Sequence, residues 1–330
     1  MSKNNNKKIK SKKSIKSKKL IITLSIIGLL IVGLVGGVAT YGLTMLNKVN
    51  KVDLNEANLG IDKDIDSKLS QYDGITNIAL FGIDAPEGTA GRSDAIMIAT
   101  IDKIHNKLKL TSIMRDSYVD IQGHGKDKIN HAYAFGGPQL AIKTINENFG
   151  LDITDFVTVN FSSLPIIIDA LGGVEINITE EEVPHIPGIT SAGIHNLTGN
   201  QALTYSRIRY AEGGDYKRTE RQRTILNALF DKALTIPVTS YVGMLDTILP
   251  NIQTNMSSST ILSIGTRALS SFNGELQQER FPLDEYSEGT NIDGIYYLAF
   301  DQEATKQQFM DYIFEDKLEQ NLEENTEDTY

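Results

Sequence analysis

The nine arginines of this 330-residue chain are unevenly placed. None precedes Arg92, and seven fall in three short segments: Arg92, then Arg115, then Arg207, Arg209, Arg218, Arg221 and Arg223. A guanidinium stays charged when partly buried and pairs bidentately with phosphate. Five of them within 17 residues point to an anion site. The competing reading is a set of surface ion pairs with Glu212, Asp215 and Glu220. Position adds to the count. Arg115 follows an apolar run in Ser112-Ile-Met-Arg-Asp-Ser117, Asp84 follows another in Phe81-Gly-Ile-Asp84, and Asp94 opens a third in Gly91-Arg-Ser-Asp94. In α/β sheets, ligands lie outside the carboxyl ends of strands. If the first two strands are adjacent and antiparallel, Asp84 and Asp94 meet. Two carboxylates beside arginines suit Mg²⁺, which takes one or two carboxylates plus phosphate oxygens. Singly, Asp84 also reads as a turn residue before Pro86, and Asp94 as a strand cap.

Helical spacing in Arg218-Thr-Glu-Arg-Gln222 puts Arg218, Arg221 and Gln222 on one side. That side continues to Leu226, Leu229 and Phe230, which belong to a core, so the polar groups are expected to face a cleft. Lys128, in Lys126-Asp-Lys-Ile-Asn-His-Ala-Tyr133, either adds a cation or is a loop lysine. His131 alone reads as structural. No Walker A, G-x-S-x-G or H-E-x-x-H motif occurs, which disfavours serine and zinc hydrolases.

The elements that must position these residues follow from periodicity. Buried-strand runs are 77–83 and 95–101, and 107–113 alternates as a half-buried strand after a hairpin turn at His105-Asn106. Further strands are expected at 156–161, 174–178, 275–281 and 295–298. Helices are expected at 138–148, stopped by Gly150, and at 164–171, 199–208, 218–234, 240–249, 259–270 and 302–314. Strands alternating with helices define an α/β class with a layered sheet.

Hydrophobic content of 40% allows a sizeable core, and the absence of cysteine removes disulfides, thiolate metal sites and cysteine nucleophiles. The net charge of −10 hides an asymmetry. Residues 1–19 hold nine lysines and no acid, leaving 23 basic and 42 acidic side chains in the rest, a body that nucleic acid would repel. Residues 20–47 carry no charge, enough for a helix of roughly 42 Å that crosses a bilayer. The apolar run is too long for a cleaved signal peptide, so it reads as an uncleaved anchor. The lysines place the N-terminus in the cytoplasm and all that follows outside. Gly33 and Gly37 form a G-x-x-x-G pair, a possible dimer face with no further support. Residues 48–73 read as a solvated acidic stalk. Asp62, Asp64 and Asp66 lack the glycine and terminal glutamate of a calcium loop. Residues 315–330 read as an acidic disordered tail.

Phe81-Gly-Ile-Asp84, Gly91-Arg-Ser-Asp94, Ser112-Ile-Met-Arg-Asp116, Lys128-Ile-Asn-His-Ala-Tyr133, Gly172-Gly-Val174, Leu197-Thr-Gly199, Tyr205-Ser-Arg-Ile-Arg209 and Gly214-Asp-Tyr-Lys-Arg-Thr-Glu-Arg-Gln222 resemble, in order, the motifs of the LytR–CpsA–Psr family. The resemblance spans about residues 74–235, with Met114 where proline is expected. It implies an α/β/α sandwich around a mixed sheet, over residues 74–314, with a hydrophobic tunnel for a polyprenyl chain. It implies an extracytoplasmic enzyme of Gram-positive-type envelopes that moves an anionic glycopolymer, such as wall teichoic acid or capsule, from a polyprenyl-pyrophosphate carrier to peptidoglycan. On that resemblance Asp84 and Asp94 would hold Mg²⁺. Arg115, Arg207, Arg209, Arg218, Gln222 and Lys128 would grip the pyrophosphate, and Asp215, Arg221 and Arg92 would support them. Two alternatives stay open: a pyrophosphatase acting on the same carrier, and a membrane-bound transcriptional attenuator.

Overall fold

The computed structural model describes residues 46–85, 91–208, 214–235, 238–272 and 276–317. The basic tail, most of the expected membrane span and residues 318–330 lie outside the described residues, as does Arg209. The side chains of Asp84 and Asp215 lie outside them too. Among the described residues no helix is long and apolar enough to cross a membrane.

In chain order the strands are β1 (Asn50–Lys51), β2 (Ile75–Asp84), β3 (Arg92–Asp102), β4 (Lys107–Ile113), β5 (Tyr118–Ile121), β6 (Gly125–Lys128), β7 (Asp155–Asn160), β8 (Val174–Ile178), β9 (Gly193–Leu197), β10 (Ile252–Thr254), β11 (Leu276–Phe281), β12 (Ser287–Ile292) and β13 (Ile295–Phe300). The helices are α1 (Lys63–Leu69), α2 (Ile129–Phe149), α3 (Leu164–Ala170), α4 (Gly199–Ser206), α5 (Gly214–Thr235), α6 (Val238–Ile248), α7 (Ser258–Ser271) and α8 (Gln302–Phe309).

Seven strands form one mixed sheet in the order β1-β10-β7-β2-β3-β4-β11. β2 runs antiparallel to β3 and parallel to β7, and β4 runs antiparallel to β3 and parallel to β11. The carboxyl ends of β2, β4, β7 and β11 therefore reach one edge, together with the start of β3. Successive side chains of a strand point to opposite faces. Ala79 and Phe81 of β2 and Ile96 and Ile98 of β3 join the main core with Ala132, Ile142, Ile145 and Phe149 of α2 and Phe309 of α8. Leu80, Ala95 and Met97 face the opposite side, toward Leu226 and Leu229 of α5. Helices thus flank the central sheet on both faces.

The His105-Asn106 turn is present, with Asn106 at φ 57°. Gly150 stops α2 in the left-handed conformation, its N–H donating to the Asn146 carbonyl. But α2 begins at Ile129, nine residues before the expected start, because a break at Gly136 and Gly137 divides it and hides the first segment's periodicity. β1, β5, β6, β9, β10 and β12 were not expected. Gly-Lys-Asp-Lys and Ser-Glu-Gly-Thr-Asn-Ile carry little apolar pattern, so backbone pairing rather than side-chain burial defines β6 and β12, whereas the four-residue β5 buries Val119 and Ile121 in the main core.

Residues 48–73 are not a free stalk. β1 pairs with β10 at the sheet edge, and Leu59 and Leu69 are buried in the main core. Asp62, one of the stalk's acids, caps α1 by accepting from the Asp64 N–H at 2.7 Å. Residues 315–317, expected in the acidic tail, likewise pack against the domain. Lys109, fully buried in β4, binds Asp102 at 3.3 Å, Asp316 at 3.0 Å and the Tyr312 carbonyl at 2.6 Å. Burial pushes the Asp316 carboxyl up, but Lys107 and Lys109 outweigh it and hold the group below the usual carboxylate range.

Removing one partner of a buried pair leaves an uncompensated charge. Lys109→Met is expected to destabilise the domain by about 3 kcal/mol, which urea denaturation would read. An unchanged midpoint would show that Lys109 does not hold the C-terminal segment to the sheet.

Candidate functional site

Asp84, the last residue of β2, registers opposite Arg92, the first of β3. The two expected carboxylate positions therefore do reach one sheet edge. Asp94 accepts from Arg115 Nη1 at 2.7 Å and from Asn130 Nδ2 at 3.4 Å, while its backbone carbonyl lies 3.5 Å from Arg218 Nη2. Burial pushes its carboxyl up; the charges of Arg115, Arg218 and Arg92 overcome this and hold it below the usual range. Asp94 is thus a fixed anion at neutral pH, beside an excess of cations.

Arg115 follows β4, and its Nε lies 3.5 Å from Asp116 Oδ2. Asp116 Oδ1 in turn accepts from Lys128 Nζ at 2.7 Å. Lys128 ends β6 and is the N-cap of α2, and these two elements place this cation at the site. These groups lie toward the α2 face. The α5 face supplies Arg218 and Gln222, 2% and 7% exposed. Arg221, 5% exposed, turns away to bind Glu182 Oε1 at 2.6 Å and the Ile208 carbonyl at 3.3 Å. It holds the segment that carries Arg207. Arg207 itself is exposed, with its guanidinium 5.5 Å from the Phe161 ring centre. Arg92 is exposed as well.

A second small core fixes this arrangement. Ile168 of α3, Val174 and Ile176 of β8, Leu197 of β9, Ala202 of α4 and Ile225 of α5 pack together. A capping box between Thr198 and Gln201 starts α4. Gly199 is required there: a Cβ would lie 2.2 Å from the Pro165 carbonyl oxygen. Tyr205 stays a neutral phenol, pushed up to about 12 by burial and the Glu182 charge.

Between the sheet and α5 lies a cavity of about 210 Å³, walled by Leu80, Met97, Val157, Val159, Phe161, Leu226 and their neighbours, with only Ser206 and Gln222 polar among the described residues. Gln222 is one helical turn from Arg218, so the apolar cavity opens onto the cationic edge. Such a site can take an amphiphile with an apolar chain and a phosphate-bearing head.

Asp116, Asn130, Phe161 and Glu182 were not singled out from sequence. Asp116 and Asn130 sit inside motifs quoted above, so adjacency was the available signal. Glu182 is 39 positions from Arg221 and leaves no local trace. His131 bonds Asp127 at 2.7 Å, which fits a structural role.

The residues present fit Mg²⁺. Asp94 is ionised, Asn130 Oδ1 beside it is buried with no hydrogen-bond partner among the described residues, and the Asp84 backbone is adjacent. Among the described residues no group of three or more His, Asp or Glu gathers. Water and phosphate oxygens would therefore complete the shell, as Mg²⁺ favours.

An apolar cavity ending on arginines and a carboxylate, in a mixed α/β domain, defines a class of protein that handles phosphate-bearing amphiphiles. The sequence profile of the LytR_cpsA_psr family matches residues 42–312, and the chain belongs to that family. A polyisoprenyl-teichoic acid–peptidoglycan teichoic acid transferase TagU of Bacillus cereus is 37% identical over 250 residues, covering 73% of this chain and 80% of the relative. A solved structure described as TagT bound to LIIa-WTA is 28% identical, with a TM-score of 0.61, over 73% of this chain and 91% of that one. An Enterococcus faecalis structure described as a transcriptional regulator is 30% identical, with a TM-score of 0.61, over 76% and 89%.

A carboxyl held below its ordinary value contributes stability that is present above the unfolded pKa and lost as pH falls through the native one. The stability lost in Asp94→Asn is therefore expected to shrink as pH drops from roughly 5 toward 3. Denaturation curves across that range test it; a pH-independent difference would contradict the pairing with Arg115.

Proposed function

We propose that this protein is a membrane-anchored, extracytoplasmic phosphotransferase that moves an anionic glycopolymer from polyprenyl pyrophosphate to peptidoglycan, forming a phosphodiester. The observation that carries the reading is the apolar cavity lined by Ala95 and Gln222, next in the chain to Asp94 and one helical turn from Arg218, with Arg218 and Arg115 both reaching Asp94. A polyprenyl chain suits the cavity and a pyrophosphate suits the arginines. The name of the Bacillus cereus relative supports a polyisoprenyl-linked donor and a peptidoglycan acceptor. The uncharged run 20–47 and its lysine flank support an anchor that keeps the site near a lipid-borne substrate.

In the reaction, an acceptor hydroxyl oxygen attacks the phosphorus that bears the glycan, and its proton passes to the departing polyprenyl phosphate or to water. The bond from that phosphorus to the bridging oxygen breaks, and polyprenyl phosphate leaves. Such transfer needs positioning and charge neutralisation more than covalent help. Arg115, Arg207, Arg209 and Arg218 would meet charge on the phosphates, with Gln222 donating at the cavity mouth. Arg221, and by the motif Asp215, hold that arginine segment, and Arg92 and Lys128 add positive field. Mg²⁺, held by Asp94 and Asp84, would supply further neutralisation of the pyrophosphate. A carboxylate held below its ordinary range is a weak base, so Asp94 serves better as ligand and electrostatic anchor than as proton acceptor.

Two outcomes test this. Arg115→Ala in the full-length protein is expected to lower transfer from a polyprenyl-pyrophosphate glycan to peptidoglycan oligomers at least roughly 100-fold, read by mass spectrometry of the product. Release of free glycan phosphate in the presence of acceptor would favour a hydrolase instead. Ala95→Phe, which fills the cavity wall, is expected to weaken binding of a long-chain donor about 10-fold or more and to spare a donor with a short lipid. Equal effects on both donors would place the lipid elsewhere.

A further inference from the structure

The site continues past Lys128 onto a surface that no feature above explains. β12 and β13 form a hairpin whose β13 strand is tied to the residue after Arg115: the Leu298 N–H donates to the Asp116 carbonyl at 2.9 Å, and Leu298 is buried. Two tyrosines of this strand approach the active-site lysine. Lys128 Nζ lies 5.9 Å from the Tyr296 ring centre and 5.6 Å from that of Tyr297. Tyr297 packs on Tyr118 of β5, with ring centres 4.8 Å apart. The Tyr296 ring lies across Gly289 of β12, where an added Cβ would stand 2.8 Å from Cε2. One side of that ring is thus held against backbone while the residue remains 45% exposed. A pre-positioned aromatic face beside a lysine, facing water, is a stacking platform for the apolar face of a sugar ring.

The geometry says which sugar. In phosphoryl transfer the attacking and leaving oxygens lie roughly in line. The leaving polyprenyl phosphate belongs to the cavity side, where Ala95, Met97 and α5 form the wall. Asp94, Arg115 and Lys128 lie toward the opposite, α2 side of the same edge, and the tyrosines lie beyond Lys128. We infer that Tyr296 and Tyr297, with Lys128, form the subsite for a sugar ring of the acceptor glycan strand, next to the residue whose hydroxyl attacks. This rests on the transferase reading above.

The test uses the full-length protein in lipid nanodiscs, a polyprenyl-pyrophosphate disaccharide donor, Mg²⁺ and uncrosslinked peptidoglycan glycan oligomers of varied concentration. Tyr296→Ala is expected to raise the acceptor KM roughly 5- to 10-fold, the scale of one lost ring contact. The donor Kd and the thermal midpoint should not change, and Tyr296→Trp should restore the wild-type acceptor KM. A raised donor Kd with an unchanged acceptor KM would place a donor sugar on the platform and overturn the assignment. So would wild-type values for both in Tyr296→Ala and in a Tyr296→Ala, Tyr297→Ala double variant. Absence of transfer by the wild-type protein is a separate failure, that of the transferase reading itself.

Discussion

Asp94 of β3 and Arg115, just past the end of β4, meet at a partly buried sheet edge, where each charge is compensated by the other. Burial works against the Asp94 carboxylate, and the guanidinium 2.7 Å away reverses that effect. The pairing exists because β3 starts and β4 ends at the same edge, so the mixed order of the sheet is an electrostatic requirement as much as a packing one. From this pair the charges spread in both directions. Arg218 reaches the Asp94 backbone from the α5 side, and Asp116 links Arg115 to Lys128 on the α2 side.

The two faces of the sheet divide the labour. Alternation along β2 and β3 sends Phe81, Ile96 and Ile98 into the main core and Leu80, Ala95 and Met97 toward the cavity. The second core beneath α3, α4 and α5 keeps α5 in place without filling the space beside the sheet. Apolar packing and ion pairing together fix the arginine segment: Tyr205 and Ile208 are buried in the second core, and Arg221, committed to Glu182 and the Ile208 carbonyl, steadies the chain that carries Arg207.

The sequence was most legible where one signal sufficed. Apolar runs marked β2, β3 and β4, and the placement of Asp94 and Arg115 at strand ends anticipated their meeting, while for Asp84 only the backbone register beside Arg92 is described. Helical spacing correctly buried Arg218, Arg221 and Gln222, but it could not tell that Arg221 turns to Glu182, because that partner lies far off in sequence. Strand alternation could not separate cavity wall from core either; Met97 and Ile98 are equally apolar, and only the gap beside α5 distinguishes them. The acidic composition of 48–73 suggested solvation, yet Leu59 and Leu69 were enough to dock the segment. Polar strands such as β6 and β12 left no periodic trace, which is why the tyrosine hairpin was half unseen.

That docked segment has a mechanical side. Lys48 binds Asp246 at 2.6 Å, Asn50 Nδ2 donates to the Pro250 carbonyl at 2.8 Å, and Leu46 packs on the Val49–Leu249 cluster. A chain that emerges from a bilayer near residue 47 would therefore have no slack before it is gripped. Under that reading, the docked segment rather than a free linker would set the tilt and height of the domain above the lipid.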